Sequence, residues 1–368
     1  MRNDDVKKVM IYRLGSLGDA LVALPALHLV SRAFPNAERR MLTNIPVHSK
    51  APAAAAVLGD SGIIDSYQDY PVGLRNAKAL LRLRREIRRW RPEVLVYLTV
   101  ARGRKAAWRD KLFFRWCGIR RLVGVPSTME LQANLWLPSI QALEPEAQRL
   151  ARCIAELGDA RLDDPQSWDM RLTEAEYAAA ASRLRPLDGL PLIMASVGTK
   201  VQAKDWGADN WKALLGRMAA AYPGHGLALL GAAEERGISE EVGAMWSAAS
   251  TLAGPVVNLC GELTPRESAA AISRAKVFLG HDSGPMHLAS CVQTPCVAIF
   301  AARNKPAVWF PYGKRNEVIY HKTDCWGCGL ETCVLQKKKC IASISVDEVM
   351  ERLAKVLPPV LEIQTSSR

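Results

Sequence analysis

The stretch Val277-Phe-Leu-Gly-His-Asp-Ser-Gly-Pro-Met-His-Leu-Ala-Ser290 decides how this chain is read. Val277 to Gly280 is a short apolar run, predicted to be a buried strand. The run breaks at His281-Asp282-Ser283-Gly284, and Pro285 then opens a helix through Cys291. Proline suits the start of a helix, where a missing N–H has no carbonyl to lose. Ser283 and Gly284 would stand at the helix start, where backbone dipoles favour an anion. Asp282 would close the strand's carboxyl end, the usual ligand position of an open α/β sheet. Such a unit can hold a phosphate and orient a polar ligand, although Asp282 and Ser283 could equally serve as helix caps.

Working outward, apolar runs and helical segments alternate along the chain. Strands are predicted at Lys8 to Leu14, Arg39 to Thr43, Val94 to Thr99 and Arg120 to Val125. A second series falls at Leu192 to Val197, Leu227 to Leu230, Val256 to Leu259, Val277 to Gly280 and Cys296 to Phe300. Helices fill the gaps, and this order argues for parallel, doubly wound α/β sheets. The segment Arg185-Pro-Leu-Asp-Gly-Leu-Pro191 reads as the interdomain linker. Residues 1–184 are then a first domain, 192–345 a second, and 346–368 a helix and tail. Pro25 should kink a first helix running from Ala20 to Phe34, or shorten its start.

The 368 residues suit two domains of ordinary size. Lys and Arg number 49 against 37 acids, a formal charge of +12. That balance favours anionic partners: phosphorylated substrates, an acidic membrane surface or nucleic acid. Aromatic residues are not interleaved with the basic ones for base stacking, so nucleic acid is not expected. The N-terminus lacks an h-region with a cleavage site, and Ala20 to Val30 is too short to span a bilayer. A cytoplasmic protein is expected, and the nine cysteines then argue against a secreted disulfide framework.

Other segments carry chemistry. Gly15-Ser-Leu-Gly-Asp19 is a tight turn after the first strand. It lacks G-x-G-x-x-G, and an acid beside a phosphate cradle would repel a dinucleotide. Asp19 therefore suits a carboxylate facing a cleft, or else a helix cap. Ala101-Arg-Gly-Arg-Lys105 follows the Val94–Thr99 strand, making Arg102, Arg104 and Lys105 the candidates for an acceptor phosphate. Just upstream, residues 74–90, of which 74–76 lie outside the residues described below, are expected to form a basic helix with Arg75, Lys78, Arg82, Arg84, Arg85, Arg88 and Arg89. Its apolar side is expected to be Leu80, Leu81, Leu83 and Ile87. The basic side is a solvated face or an extension of that surface toward anionic lipid.

Several motifs together resemble the ADP-heptose:lipopolysaccharide heptosyltransferases, glycosyltransferase family 9. They are G-x-x-G-D (Gly15 to Asp19), G-T-x-x-x-x-K-x-W (Gly198 to Trp206), G-x-x-x-E (Gly231 to Glu235) and D-S-G-x-x-H-L-A from Asp282. Near the end comes C-x2-C-x4-C-x6-C, from Cys325 to Cys340. The resemblance implies a GT-B fold, two Rossmann-like domains facing a cleft, and a metal-independent, inverting glycosyl transfer with no required cofactor. It implies Asp19 as catalytic base and Lys204 as the cation on the leaving diphosphate. Thr199 and the Ser283-Gly284-Pro285 helix start would assist, with His287 in the same signature. Glu235 would take ribose hydroxyls, Leu263 would lie against adenine, and Asp282 would hold sugar hydroxyls. Lys200 stands where related enzymes often carry a small hydroxyl residue, so it would add a phosphate contact or alter donor choice.

Cys325, Cys328, Cys333 and Cys340 have spacing compatible with a structural metal, reduced thiols or a redox-dependent disulfide. The last helix, from Val346, is expected to return to the first domain. The implied function is transfer of heptose from ADP-heptose to a phosphorylated lipopolysaccharide acceptor at the cytoplasmic membrane surface. A GT-B transferase with another donor or a protein acceptor is the alternative enzyme. A basic lipid- or nucleic-acid-binding protein is the alternative of another class.

Overall fold

The computed structural model describes residues 2–44, 54–70 and 77–359. The chain divides into two compact units, Met1–Thr173 and Glu174–Arg368.

The first unit runs β1 (Lys8–Tyr12), α1 (Leu17–Val22), α2 (Leu24–Ala33), β2 (Glu38–Thr43), α3 (Ala54–Leu58), β3 (Ser66–Asp69), α4 (Ala77–Trp90), β4 (Val94–Tyr97), α5 (Arg104–Trp116) and β5 (Arg121–Val123). Then come α6 (Met129–Gln132), the small hairpin β6 (Trp136–Leu137) and β7 (Ala142–Leu143), and α7 (Glu146–Cys153). The main sheet has the order β3-β2-β1-β4-β5, all parallel. β1 and β4 are buried almost throughout, as a sheet covered on both faces requires.

The single helix expected from Ala20 to Phe34 is two. Pro25 sits in the first turn of α2, and Ala23 ends α1 while starting α2. The ring would collide with the carbonyl four residues back, so the helix restarts instead of bending through. β3 and the hairpin were not legible, because Ser66-Tyr-Gln-Asp69 is polar and the hairpin strands are two residues each.

In the second unit, α8 (Glu174–Leu184) precedes β8 (Leu192–Ser196), α9 (Ala208–Ala221), β9 (Gly226–Leu229), α10 (Arg236–Ala249), β10 (Val256–Asn258), α11 (Pro265–Ile272), β11 (Val277–His281), α12 (Gly284–Cys291), β12 (Cys296–Phe300), β13 (Glu317–Tyr320), α13 (Lys339–Ala342) and α14 (Val346–Val356). Its sheet is parallel, in the order β10-β9-β8-β11-β12-β13. In both sheets the winding direction reverses beside the first strand, between β1 and β4 and between β8 and β11. Loops leaving the carboxyl ends there are where such folds bind ligands.

Two expectations about domain boundaries are corrected. The division falls at Thr173, and residues 185–191 lie inside the second unit. The cause is α8: it buries Ala180 and Leu184, and Glu176 holds the buried Arg266 of α11 at 2.5 and 3.0 Å. The final helix also belongs to the second unit. Val349 and Leu353 of α14 are buried in one core with Trp211, Trp246, Ile319 and Ile341. Its apolar positions fall one turn apart, which makes a stripe that a nearby sheet can cover. Among the described residues no helix is long and apolar enough to cross a membrane.

Candidate active site

Each unit carries one set of candidate residues at its switch point. In the first, Asp19 lies in the first turn of α1. Its Oδ2 accepts from the Ser16 backbone N–H at 2.7 Å and from Ser16 Oγ at 2.8 Å. Its Oδ1 is 3.6 Å from Arg13 Nη2. Arg13, 1% exposed, also donates to the Asp19 carbonyl through Nε at 3.0 Å. Burial lowers the Arg13 pKa, and the neighbouring Asp19 opposes that shift. The carboxylate is thus held on both sides, by a helix-start hydrogen bond and by a buried cation. Gly15 has φ +139°, and a Cβ there would meet Asp19 Cγ at 2.4 Å. The glycine is required because the carboxylate folds back over it.

The basic candidates after β4 part company. Arg102 Nη2 is 2.5 Å from Asp110 Oδ2 and also donates to Tyr97 Oη at 3.2 Å and Tyr12 Oη at 3.1 Å. Asp110 is buried, and Arg109 holds its other oxygen at 3.0 Å. Arg102 therefore balances an internal acid and is not set out as a loose phosphate contact. Tyr97 answers to the same neighbours: burial, then Asp110, pushes its pKa up to about 12. Arg104 and Lys105 are exposed in the first turn of α5, whose N-cap Gly103 offers no side chain and whose first turn has no acid. Two cations at the positive end of a helix are mutually unfavourable unless an anion joins them.

In the second unit, the loops after β8 and β11 meet. Lys204 Nζ donates to the Asp282 carbonyl at 2.8 Å and pairs with Asp282 Oδ2 at 2.8 Å. Asn304 Nδ2 donates to that same oxygen at 2.8 Å. Ser283 is the N-cap of α12, yet its Oγ caps nothing; it is buried and has no hydrogen-bond partner among the described residues. A buried hydroxyl without a partner costs free energy unless something supplies one. Of the three helix-start residues, Gly284 can present an N–H, whereas Pro285 has none and fixes only the backbone. His287 is buried in the next turn.

Glu235 reaches over two glycines of the same region. A Cβ on Gly198 would meet its Cδ at 2.4 Å, and one on Gly231 its Oε2 at 2.5 Å. Oε2 accepts from the Ala232 N–H at 2.8 Å, and burial raises the pKa of the acid. Thr199 Oγ1 accepts from Val201 N at 3.3 Å, and Lys200 stands 3.8 Å from Glu234. Leu263 is half-buried just before Thr264, which caps α11 in a reciprocal pair with Glu267.

Three residues outside the expected set shape these loops. His281 is fully buried; its Nε2 accepts from Trp206 N at 3.2 Å and Trp211 Nε1 at 3.4 Å. Nδ1 then carries the proton and faces the Gly198 carbonyl at 3.4 Å. Burial pushes its pKa down to about 4, so the ring is neutral and ties the two loops together. Arg13 and Asn304 are the others. A charge inside the apolar run before Gly15 was the available signal for Arg13; nothing in spacing marked Asn304.

In the cysteine segment burial, and then the neighbouring Cys325, raises the pKa of Cys340. All nine cysteines are free, and among the described residues no three His, Cys, Asp or Glu side chains are grouped to hold a metal. The segment instead braces the Lys204 loop. Ala203 N donates to the Glu331 carbonyl at 3.0 Å, Cys333 N to Gln202 Oε1 at 2.9 Å, and Lys338 pairs with Asp205 at 3.2 Å.

Residues 123–339 match the family described as glycosyltransferase family 9 (heptosyltransferase). That match takes in the whole β8–β11 site but not Asp19. A lipooligosaccharide heptosyltransferase 2 of Campylobacter jejuni subsp. jejuni is 30% identical over 105 residues, 28% of this chain and 33% of that protein. A lipopolysaccharide heptosyltransferase 3 of Escherichia coli is 40% identical over 58 residues, 16% of this chain and 17% of that protein. The matched stretches thus span a third or less of these relatives. Among solved structures, a family 9 glycosyl transferase from Veillonella parvula superposes with TM-score 0.67 at 17% identity, over 95% of this chain and 97% of that one. The E. coli ADP-heptose lps heptosyltransferase II gives 0.61 at 18%, over 95% and 98%. The fold is therefore that of these enzymes, the GT-B class of two Rossmann-like doubly wound units. With more than half its length matched, the chain belongs to glycosyltransferase family 9, the heptosyltransferase family.

Proposed function

We propose that this protein transfers heptose from ADP-heptose to a phosphorylated lipopolysaccharide-core acceptor, with inversion and without a metal. The observation that carries the reading is the Lys204–Asp282–Ser283 arrangement. An ammonium, a helix start and an unpartnered buried hydroxyl lie beside one carboxylate, which is what a sugar diphosphate requires. In the proposed reaction an acceptor hydroxyl gives its proton to Asp19 and its oxygen forms the new bond to the anomeric carbon. The bond from that carbon to the diphosphate oxygen breaks, and ADP leaves against Lys204 and the Gly284 N–H. Glu235 holds ribose hydroxyls, Leu263 the adenine and Asp282 the sugar. Arg104 and Lys105 take an acceptor phosphate. The strongly basic first unit fits work at the cytoplasmic face of an anionic membrane.

Lys200, exposed beside Glu234, favours a second reading in which the donor is another nucleotide sugar. Release of ADP from ADP-heptose with a delipidated core acceptor, run beside a panel of other nucleotide sugars, tests both. Turnover with ADP-heptose alone among the donors is the expected result. Turnover with a different donor supports the second reading, and none with any donor leaves only the binding alternative.

A further inference from the structure

On α5, Trp108, Leu112 and Trp116 recur every fourth residue, so they form one stripe about 12 Å long. They are 49%, 62% and 49% exposed. The opposite side of the same helix is filled normally: Ala107 and Phe114 are buried, and Phe114 packs edge-on against Tyr12 at 5.1 Å. The stripe is thus a second apolar face on a helix that already has one. Cations frame it. Lys111 lies 5.0 Å over the Trp108 ring and Arg84 of α4 lies 4.2 Å over Trp116. Arg84 also donates to the Trp116 carbonyl at 3.2 Å, which locks α4 beside α5.

The two helices together carry eleven Lys and Arg against Glu86 and Asp110, and Asp110 is buried and paired. Leu81 of α4, expected inside, is instead 40% exposed. Tryptophan, an aliphatic residue and a surround of cations is the composition that seats a helix in a headgroup layer, rings at the interface and charges on lipid phosphates.

We propose that this face, the Trp108–Leu112–Trp116 stripe with its cationic surround, docks into the surface of an anionic phospholipid bilayer. A second copy of the chain is a poor occupant, since self-pairing would press two strongly positive faces together. The inference deepens the reading of a lipid-borne acceptor: α5 begins at Arg104 and Lys105, so a docked stripe brings those cations to the depth of headgroup phosphates. It is tested apart from that reading, with neither donor nor acceptor present.

The full-length protein is mixed with vesicles of phosphatidylcholine alone, or with about a third phosphatidylglycerol, and bound protein is separated by flotation. Dibromo-phosphatidylcholine in the same vesicles reports tryptophan insertion by quenching. Binding to the anionic vesicles, weakened by salt, is expected for the native chain. The triple variant Trp108→Ser, Leu112→Ser, Trp116→Ser should bind at least about tenfold more weakly and lose the quenching. Leu112→Ser alone, which disturbs no ring contact, should fall between them with an unchanged melting temperature. Undiminished vesicle binding by both variants, or no preference of the native chain for anionic lipid, overturns the proposal. So does loss in the triple variant of a dimer seen by sedimentation, with vesicle binding intact. Heptose transfer to a delipidated acceptor should be normal in the triple variant. If such transfer is absent from native and variant alike while vesicles still bind, the transferase reading fails and the docking face stands.

Discussion

The Asp19 carboxylate lies directly over Gly15, so close that a Cβ on the glycine would sit 2.4 Å from Cγ. Two substitutions should therefore converge. Asp19→Asn removes the proposed base and should lower kcat by about 10²–10⁴-fold, with ADP affinity nearly kept. Gly15→Ala leaves the acid in place but pushes it aside, at a backbone φ of +139° that an alanine resists. Its kcat should fall toward that of Asp19→Asn. Turnover assays with ADP titration calorimetry check both. Near-normal turnover in Asp19→Asn would leave the carboxylate with a structural part only, capping Ser16 and pairing with Arg13.

Lys204 touches the diphosphate in the proposed ground and transition states alike. Lys204→Ala should weaken ADP binding about 10- to 100-fold, the worth of a charge-assisted hydrogen bond, and slow transfer as well. ADP affinity equal to that of the native protein would remove the lysine from the site. The native enzyme should keep its activity in EDTA. Loss restored by Mg²⁺ would contradict a leaving group neutralised by this ammonium and the α12 helix start.

The basic loop after β4 should split in two. Arg104→Ala with Lys105→Ala should raise acceptor KM and leave the melting temperature within a degree or two, because both side chains are exposed. Arg102→Ala should instead destabilise the fold by about 1–2 kcal/mol, since it leaves the buried Asp110 with only the exposed Arg109 and the Tyr97 hydroxyl. Thermal melts beside acceptor kinetics separate the two. Equal effects on KM without a stability change would return Arg102 to the acceptor site.

His281 predicts a pH dependence. Its folded pKa, about 4, lies below the ordinary histidine value of 6.5, so the unfolded chain takes up the proton first. The stability it contributes is fully present above about pH 6.5 and lost as pH falls toward 4. The loss is on the order of 3 kcal/mol for a fully buried ring. Urea unfolding at pH 7 and pH 5 should show about 2 kcal/mol of it, and His281→Asn should show less. The same pH sensitivity in that variant would place the titration elsewhere.

Much of this was legible because parallel strands buried on both faces read as apolar runs. Val94 to Tyr97 and Cys296 to Phe300 announce themselves, and so does the glycine-flanked acid at Asp19. Ser66–Asp69 did not, since an edge strand with polar residues lacks that signal. The ligand loops were found through motifs, yet Asn304, which pins Asp282, lies in a stretch with no period or spacing. Its role depends on a tertiary contact. The partner of Arg102 was hidden for the same reason: Asp110 lies eight residues on, inside α5 while Arg102 stands in the loop before it, and only the fold shows the acid turned inward. The expected destination of the last helix failed because a stripe such as Val349 and Leu353 says that a surface covers it, not which one.

The second unit opens with α8 and closes with α14, both packed against its own elements. Among the described residues, no strand of its sheet is borrowed from the chain before Glu174. The chain is therefore modular at Thr173, and a fragment from Glu174 onward is expected to fold by itself. It would retain Lys204, Glu235, Asp282 and Ser283 while lacking Asp19, and so should bind ADP yet transfer nothing. On the proposed reading, recognition of the nucleotide and activation of the acceptor would then be separable inheritances, and the donor half could be exchanged or redesigned without redrawing the other.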